Sequence, residues 1–176
     1  MTGDDVDTTT ERIGPPGPPE PPGPPEPPEL PWAGRPVYEL RLRVRTYEVD
    51  ALGHVNNAVY LNYLEQAATE HAEALDFGRE RLAALGGLFV VRRHEIDYLG
   101  AALMGDELRI ITWPESIRGP RAVRRYEVRH AVTGKILVQA STVWAWLDLG
   151  GRPRPVPREI LDAFGDDSPA TVQVLP

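Results

Sequence analysis

Cysteine is absent from the 176-residue chain, which excludes disulfide bonds and thiolate metal sites. Histidine is scarce, and the four that occur (His54, His71, His94 and His130) do not have the spacing of metal ligands. No run approaches the roughly 20 apolar residues of a membrane-spanning helix, and the acidic N-terminus lacks the apolar stretch of a signal peptide. The sequence therefore predicts a cytoplasmic protein with no metal, no cofactor and no membrane span.

Lysine is almost absent too, because arginine supplies all but one of the 19 basic residues. The net charge is −7, and residues 1–36 account for −5 of it, since they hold seven acidic residues against Arg12 and Arg35. The rest of the chain is thus nearly neutral. This balance gives no support to nucleic acid binding.

The first 36 residues are predicted to form a disordered Pro/Glu-rich tail. They contain the run PPGPPEPPGPPEPPE, in which glutamate interrupts the glycine at every third position that collagen requires. Such a run favours extended, solvated polyproline II structure without a core. It is interpreted as a spacer, with docking into an aromatic groove of a partner as the alternative.

Residues 37–150 are predicted to form one folded domain, and residues 151–176 a C-terminal extension. Alternating apolar and polar residues predict a strand over residues 38–46, and helical periodicity predicts a long helix over residues 58–76. Phe77 and Gly78 should end that helix, with Gly78 as a left-handed cap. Further strands are predicted at 89–99, 107–113, 123–131 and 135–147, short helices at 79–85 and 158–164, and a turn at 114–120.

One strand, one long helix and then four strands favour an α+β fold in which an antiparallel five-stranded sheet wraps around the helix. The last strand is apolar on both faces, as expected of a central strand. Thr133 and Gly134 form a hairpin signal, so the last two strands should pair antiparallel. One sheet edge is left over, which predicts a homodimer or homotetramer.

The candidate site is the turn that precedes the long helix, DALGHVNN at residues 50–57. Unpaired backbone N–H groups at a helix start, together with the helix dipole, stabilise an oxyanion. A carboxylate beside them, here Asp50, could attack an acyl carbonyl or activate water. The alternative is that Asp50 only caps the turn. His54 could orient Asp50, polarise the carbonyl or simply bond loop backbone, and asparagines are common in turns and caps.

The motif D-A-x-G-x-V from Asp50, followed by Tyr60, Glu65 and Ala67, resembles the 4-hydroxybenzoyl-CoA thioesterase-like branch of the hotdog superfamily. The HVNN run also resembles plant-type acyl-ACP thioesterases. The segments FVVRRHEIDYL at residues 89–99 and GDEL at residues 105–108 support the resemblance, which spans about residues 37–147.

The resemblance implies a hotdog fold and a role for each matching residue. Asp50 matches the catalytic carboxylate, the amide of Asn57 the group that polarises the thioester carbonyl, and His54 the histidine of the acyl-ACP enzymes. Leu52 replaces the asparagine of those enzymes. Glu65 matches a helix carboxylate that some relatives recruit, with an ion pair to a nearby arginine as the alternative. The predicted substrate-binding residues are Gly53, Val55, Tyr60, Arg92, Arg118 and Arg121.

The arginines are chosen because guanidinium groups bind phosphate well. Arg118 and Arg121 form a sequence cluster with Arg124, Arg125 and Arg129, which could hold the nucleotide of coenzyme A or a carrier protein; a solvated strand face is the alternative. The expected function is acyl thioester hydrolysis, on acyl-CoA rather than acyl-ACP. A non-catalytic module that binds acyl groups or carrier protein is the rival interpretation.

Overall fold

The structure, a computed structural model, describes residues 30–165, so the Pro-Pro repeats and residues 166–176 lie outside the described residues. Five strands and three helices follow one another along residues 30–165. Their bounds are β1 Tyr38–Arg43, α1 Val59–Ala74, α2 Arg79–Ala84, β2 Gly87–Tyr98, β3 Glu107–Arg118, β4 Arg121–His130, β5 Ile136–Asp148 and α3 Arg158–Phe164, with a 3-10 turn at Thr46–Glu48.

The strands form one antiparallel sheet in the order β1-β3-β4-β5-β2. Helix α1 lies on the inner face of this sheet, where Tyr63, Leu64 and Ala67 are buried with Ile110 and Val128 in the main core. The predicted α+β architecture is therefore confirmed, including the internal position of β5 and its antiparallel pairing with β4. Among residues 30–165, no helix is long and apolar enough to cross a membrane.

The end of α1 differs from the prediction. Asp76 takes the left-handed conformation at φ +64°, whereas Gly78 has φ −61° and is the N-cap residue of α2. The Phe77 N–H donates to the carbonyl of Ala72 over 2.7 Å, which satisfies one of the last helix carbonyls. Aspartate tolerates this backbone region better than most residues. The assignment of Gly78 as the left-handed cap was therefore wrong.

Strand β3 is longer than predicted, because it runs through Pro114 to Arg118 instead of turning at Pro114. The pairing of β1 with β3 ends at Tyr38 and Thr112. Pro114 therefore lies beyond the part of β3 that pairs with β1, and its missing N–H leaves no β1 carbonyl without a hydrogen bond. On the other side the register with β4 shifts between Pro114 and Ser116. The reversal occurs instead at Gly119, which has φ +56°.

Residues 30–36, which the sequence assigns to the tail, contact the outer face of the sheet. The Trp32 ring lies 5.1 Å from the Trp113 ring, and the Arg129 guanidinium lies 5.7 Å from the Trp32 ring centre. Arg35 donates hydrogen bonds to the carbonyls of Pro114 and Glu115. Trp113 is thereby buried to 5% exposure on the face opposite α1.

The extension after β5 also belongs to the folded part. Helix α3 forms as predicted, and its Ile160 and Phe164 are buried beside Phe77, Ile117 and Trp146 in a second apolar cluster. This cluster lies beyond the C-terminal end of α1. Residues 30–165 therefore form two cores, one beneath α1 and one beneath α3.

Candidate active site

The turn of residues 50–57 is held by its own hydrogen bonds. Oδ1 of the half-buried Asp50 accepts from the N–H groups of Leu52 at 2.9 Å and His54 at 3.3 Å. The Asp50 N–H donates to the His54 carbonyl, and the Gly53 N–H donates to the Asp50 carbonyl. Gly53 has φ +78°, which a residue with a Cβ adopts only with strain. Oδ2 of Asp50 makes no hydrogen bond with residues 30–165, so one carboxylate oxygen caps the turn and the other is available.

At the start of α1, the backbone amide of Asn57 is unused by the described residues. Oδ1 of the Asn56 side chain accepts from the Ala58 N–H at 2.9 Å, and the backbone carbonyl of Asn56 accepts from the Val59 N–H at 2.8 Å. The Asn57 N–H donates to no residue of the described chain. This free N–H lies at the positive end of the helix dipole, where an oxyanion is stabilised.

Buried contacts fix this turn against the rest of the fold. The Val55 N–H donates to the carbonyl of Ala102, and the Asn56 N–H donates to that of Glu48, both over 2.9 Å. Tyr63 on α1 donates its hydroxyl to Oε2 of the buried Glu48 at 2.8 Å. From β2, the Tyr98 hydroxyl donates to the Asn57 carbonyl at 3.0 Å. The segment that carries Asp50 is therefore tied to α1, β2 and the β2–β3 loop.

His54 meets Asp50 only through its backbone. Its N–H bonds Oδ1 of Asp50, its side chain is exposed, and the imidazole makes no hydrogen bond with residues 30–165. Glu65 is exposed on α1 and forms no ion pair with the described arginines, so the alternative of an arginine pair is not observed there. Glu65 lies near His94, whose pKa burial lowers while the Glu65 charge opposes that shift.

A cavity of about 340 Å³ lies between the second half of α1, the inner face of the sheet, and α2 and α3. This volume falls within the roughly 300–1,000 Å³ of small-molecule sites. Its walls are mostly apolar, and Glu65 is the one predicted site residue that contributes to them. The walls include Ala68, Ala72, Phe89, Ile117, Trp144, Ile160 and Phe164. Trp144, a partly buried residue that packs against the main core, therefore also lines the cavity.

Arg124 lines the same cavity and was not among the predicted site residues. Its side chain is 9% exposed, and its Nη1 donates to Nδ1 of His71 at 2.8 Å and to Oγ1 of Thr112 at 3.2 Å. None of the ion pairs among residues 30–165 involves Arg124, although a buried charge is costly without a partner. The ring of Phe164 lies 5.7 Å from its guanidinium. Burial and the Arg124 charge lower the pKa of His71 to about 3, so this imidazole accepts as a neutral ring.

The predicted arginine cluster is divided by the strand. Because side chains alternate along β4, Arg124 faces inward, whereas Arg125 pairs with Glu115 at 2.8 Å and Arg129 pairs with Glu127 at 2.6 Å. Of the five arginines in the cluster, only Arg118 and Arg121 are exposed and without an ion pair to residues 30–165, and they lie at the β3–β4 hairpin. The five arginines of the sequence cluster therefore do not form one phosphate-binding surface, and Arg125 and Arg129 lie on the outer strand face in ion pairs.

The remaining predicted binding residues occupy different environments. Val55 and Tyr60 are buried at 3% and 2% exposure in the main core, and burial raises the pKa of Tyr60 to about 12. Arg92 is exposed at an irregularity in β2, where the register with β5 shifts between Val91 and Arg93. Within the described chain, no group of three or more His, Asp or Glu side chains is placed to hold a metal ion.

Comparison with known proteins points to one family. A family model described as the thioesterase-like superfamily matches residues 44–164. The acyl-CoA thioesterase YbgC of Haemophilus influenzae is 33% identical over 129 residues, which are 72% of this chain and 93% of that protein. The chloroplastic acyl-acyl carrier protein thioesterase ATL2 of Arabidopsis thaliana is 27% identical over 128 residues, 73% of this chain and 68% of that protein.

Solved structures agree with the sequence relatives. A Thermus thermophilus thioesterase, determined in complex with coenzyme A and Zn, is 34% identical with a TM-score of 0.64. The match covers 74% of this chain and 93% of that one.

Proposed function

The chain belongs to the thioesterase-like superfamily, and we propose that it hydrolyses an acyl-CoA thioester to a carboxylic acid and free coenzyme A. The observation that carries the proposal is the turn before α1. There Asp50 keeps one carboxylate oxygen outside the turn's hydrogen bonds, and the Asn57 N–H is unused by the described residues. A carboxylate oxygen and a backbone N–H that make no hydrogen bond with residues 30–165 thus lie on one loop, which supports the proposal.

In the proposed reaction, the Asn57 N–H polarises the thioester carbonyl and stabilises the oxyanion that develops on it. Asp50 either attacks the carbonyl carbon, which gives an anhydride that water then hydrolyses, or removes a proton from a water molecule that attacks. In both routes the C–S bond breaks and coenzyme A leaves as a thiolate, so little acid assistance is needed. His54 and Glu65 remain predicted participants, Glu65 because it faces the cavity.

The acyl group is proposed to occupy the cavity beneath α1. Glu65 is the first residue of α1 that lines the cavity. It lies eight residues after Asn57, which corresponds to about 12 Å along the helix axis. Gly53, Val55 and Tyr60 would support the turn, and the exposed Arg118 and Arg121 would bind phosphates of the nucleotide.

We propose a homodimer or homotetramer and a cytoplasmic location. Strand β2 is an edge strand in the described sheet, and apolar side chains are exposed along it and in the loop that follows. These side chains are Val90, Tyr98, Leu99, Leu103 and Met104, with exposed fractions of 42% to 58%. Arg92 lies on the same edge and would be placed at the interface.

The test is thiol release from a panel of acyl-CoA and acyl-carrier-protein substrates. We expect hydrolysis by the native chain, faster on acyl-CoA, and a loss of at least about 100-fold in kcat for Asp50→Asn. Full activity in that variant would refute the mechanism. Binding of acyl-CoA with no turnover on any substrate would favour the non-catalytic module, and a preference for acyl-carrier protein would favour the acyl-ACP alternative.

A further inference from the structure

We propose that the substrate of this site carries a second carboxylate at the far end of its acyl group, and that Arg124 binds that carboxylate. The proposal rests on the proposed function and specifies its substrate class. It starts from the only arginine among residues 30–165 that is both buried and a wall residue of the cavity.

The guanidinium of Arg124 is held in one orientation. Both hydrogen bonds that it makes with the described chain come from Nη1, one to His71 and one to Thr112. His71 is itself buried, and the ring of Tyr38 stacks on it at 5.7 Å between ring centres. The Phe164 ring packs against the guanidinium from the α3 side. An arginine fixed in this way loses little freedom when it binds a ligand.

The opposite edge of the same guanidinium is unused. Nε and Nη2 donate to no residue between 30 and 165, and they form the parallel pair of N–H groups that accepts a carboxylate in bidentate fashion. His71 cannot serve as the counter-charge, because its ring is neutral. Within the described chain, Arg124 thus has a positive charge, a free binding edge and no carboxylate.

The other charged residues of the cavity do not replace the missing anion. Glu65 and Glu73 on α1 and Arg79 on α2 also line it, but all three are solvent-exposed, whereas Arg124 is buried. The cavity walls are mostly apolar and include Ile117, Ile160 and Phe164, and the Phe164 ring packs against the Arg124 guanidinium. A ligand that suits both features is a hydrocarbon chain with a terminal carboxylate. A plain alkyl chain would leave the buried guanidinium unpaired.

The test compares matched thioesters that differ only at the far end: ω-carboxyacyl-CoA and the simple acyl-CoA of equal chain length, from C4 to C16. At the best length we expect the native enzyme to show a kcat/KM about 10- to 100-fold higher for the ω-carboxyacyl substrate. In Arg124→Met, the ratio of the two kcat/KM values should fall to about 1 or below. In Arg125→Met, whose guanidinium lies on the outer face with Glu115, the ratio should equal that of the native enzyme.

Direct binding separates this proposal from the hydrolase proposal. Free α,ω-dicarboxylates of the same lengths should raise the Tm of the native protein more than monocarboxylates do, and this difference should disappear in Arg124→Lys, which keeps the charge without the planar fork. Hydrolysis of simple acyl-CoA with no preference for ω-carboxyacyl-CoA at any length would overturn the assignment of Arg124 alone. Dicarboxylate binding without turnover of any thioester would uphold that assignment and refute the hydrolase. If the Arg124 variants fail to fold, the ratio of the two kcat/KM values in the native enzyme still tests whether the site prefers an ω-carboxyacyl substrate.

Discussion

Tyr63 donates its hydroxyl to the carboxylate of Glu48 over 2.8 Å, and both side chains are buried. Glu48 also accepts the Arg45 N–H at 2.7 Å, and its carbonyl accepts the Asn56 N–H. One buried residue, Glu48, therefore joins α1 to both ends of the segment that carries Asp50, because its carboxylate bonds Tyr63 and the Arg45 N–H and its backbone carbonyl bonds the Asn56 N–H. This connection holds the turn at a constant position relative to the helix.

Removal of the Tyr63 hydroxyl should loosen that connection. Tyr63→Phe leaves Glu48 buried with one hydrogen bond fewer, so we expect a loss of about 1–3 kcal/mol in the free energy of unfolding. Because the Asp50 turn is less well held, kcat/KM should fall by about tenfold. Denaturant unfolding and thiol release measure the two effects. Tyr47→Phe is the matched control, since Tyr47 is 77% exposed in the same 3-10 turn; equal effects in both variants would contradict the role of Glu48.

The two functions of the Asp50 carboxylate can be separated by substitution. Asparagine keeps an Oδ1 that accepts from the Leu52 and His54 amides, so Asp50→Asn should stay within about 0.5 kcal/mol of the native free energy of unfolding. Asp50→Ala removes that acceptor and should cost about 1 kcal/mol. Both variants should lose turnover equally. Turnover that follows stability across the pair would mean that Asp50 acts only as a turn cap.

Gly53 offers a test of the turn's backbone. An added Cβ would meet no heavy atom within 4 Å, so Gly53→Ala should act only through its φ of +78°, at a cost of about 1 kcal/mol. The strained turn should lower kcat/KM by about tenfold as the Asp50 carboxylate shifts. Gly151→Ala is a matched control, because Gly151 has φ +79°, is equally open and follows β5. It should lose similar stability in a thermal melt and keep full activity.

Acidification should destabilise the protein through His71. In the folded state burial and Arg124 hold the pKa of His71 near 3, whereas the unfolded chain protonates it near 6.5. The unfolded state thus binds more protons between these values, so stability falls as the pH drops below about 6.5, by about 2 kcal/mol at pH 5. His71→Gln can still accept from Arg124 but does not titrate. Urea unfolding at pH 7 and pH 5 should show a smaller decrease in this variant, and an equal decrease would exclude His71 as the source.

Much of the fold follows from local pattern. The alternation in Tyr38–Arg43 and Arg121–His130 and the helical periodicity after Asn57 give the correct strand and helix types. The passage of β3 through Pro114 does not follow, because it depends on where β1 stops pairing on one side and where β4 bulges on the other. Those are tertiary facts that override the usual reading of proline as a turn residue.

The candidate site divides in the same way. The Asp50 turn and the helix start could be found from sequence, since capping and turn chemistry are local. Arg124 was placed in the arginine cluster, but its burial in the cavity wall was missed because arginine on a strand is usually solvated. A signal was present, however. Arg124 lies two residues from Ala122 and from Tyr126, and Val128 follows two residues later, so Arg124 shares the inward face of β4 with these apolar residues. His71 and Thr112, which accept hydrogen bonds from Arg124, lie 53 and 12 positions away from it in the sequence. No local sequence pattern contains such distant contacts.

Trp32 sets a practical lower limit on the size of this domain. A shortened chain that begins at Val37 would uncover the indole of Trp113 and release two backbone oxygens that Arg35 now occupies. Such a protein would be expected to self-associate through the bared ring, and its loss of activity would be mistaken for a catalytic role of the proline repeats. A shortened chain that begins just before Leu30 keeps the Trp113 indole covered by Trp32 and is the better choice for crystallisation trials.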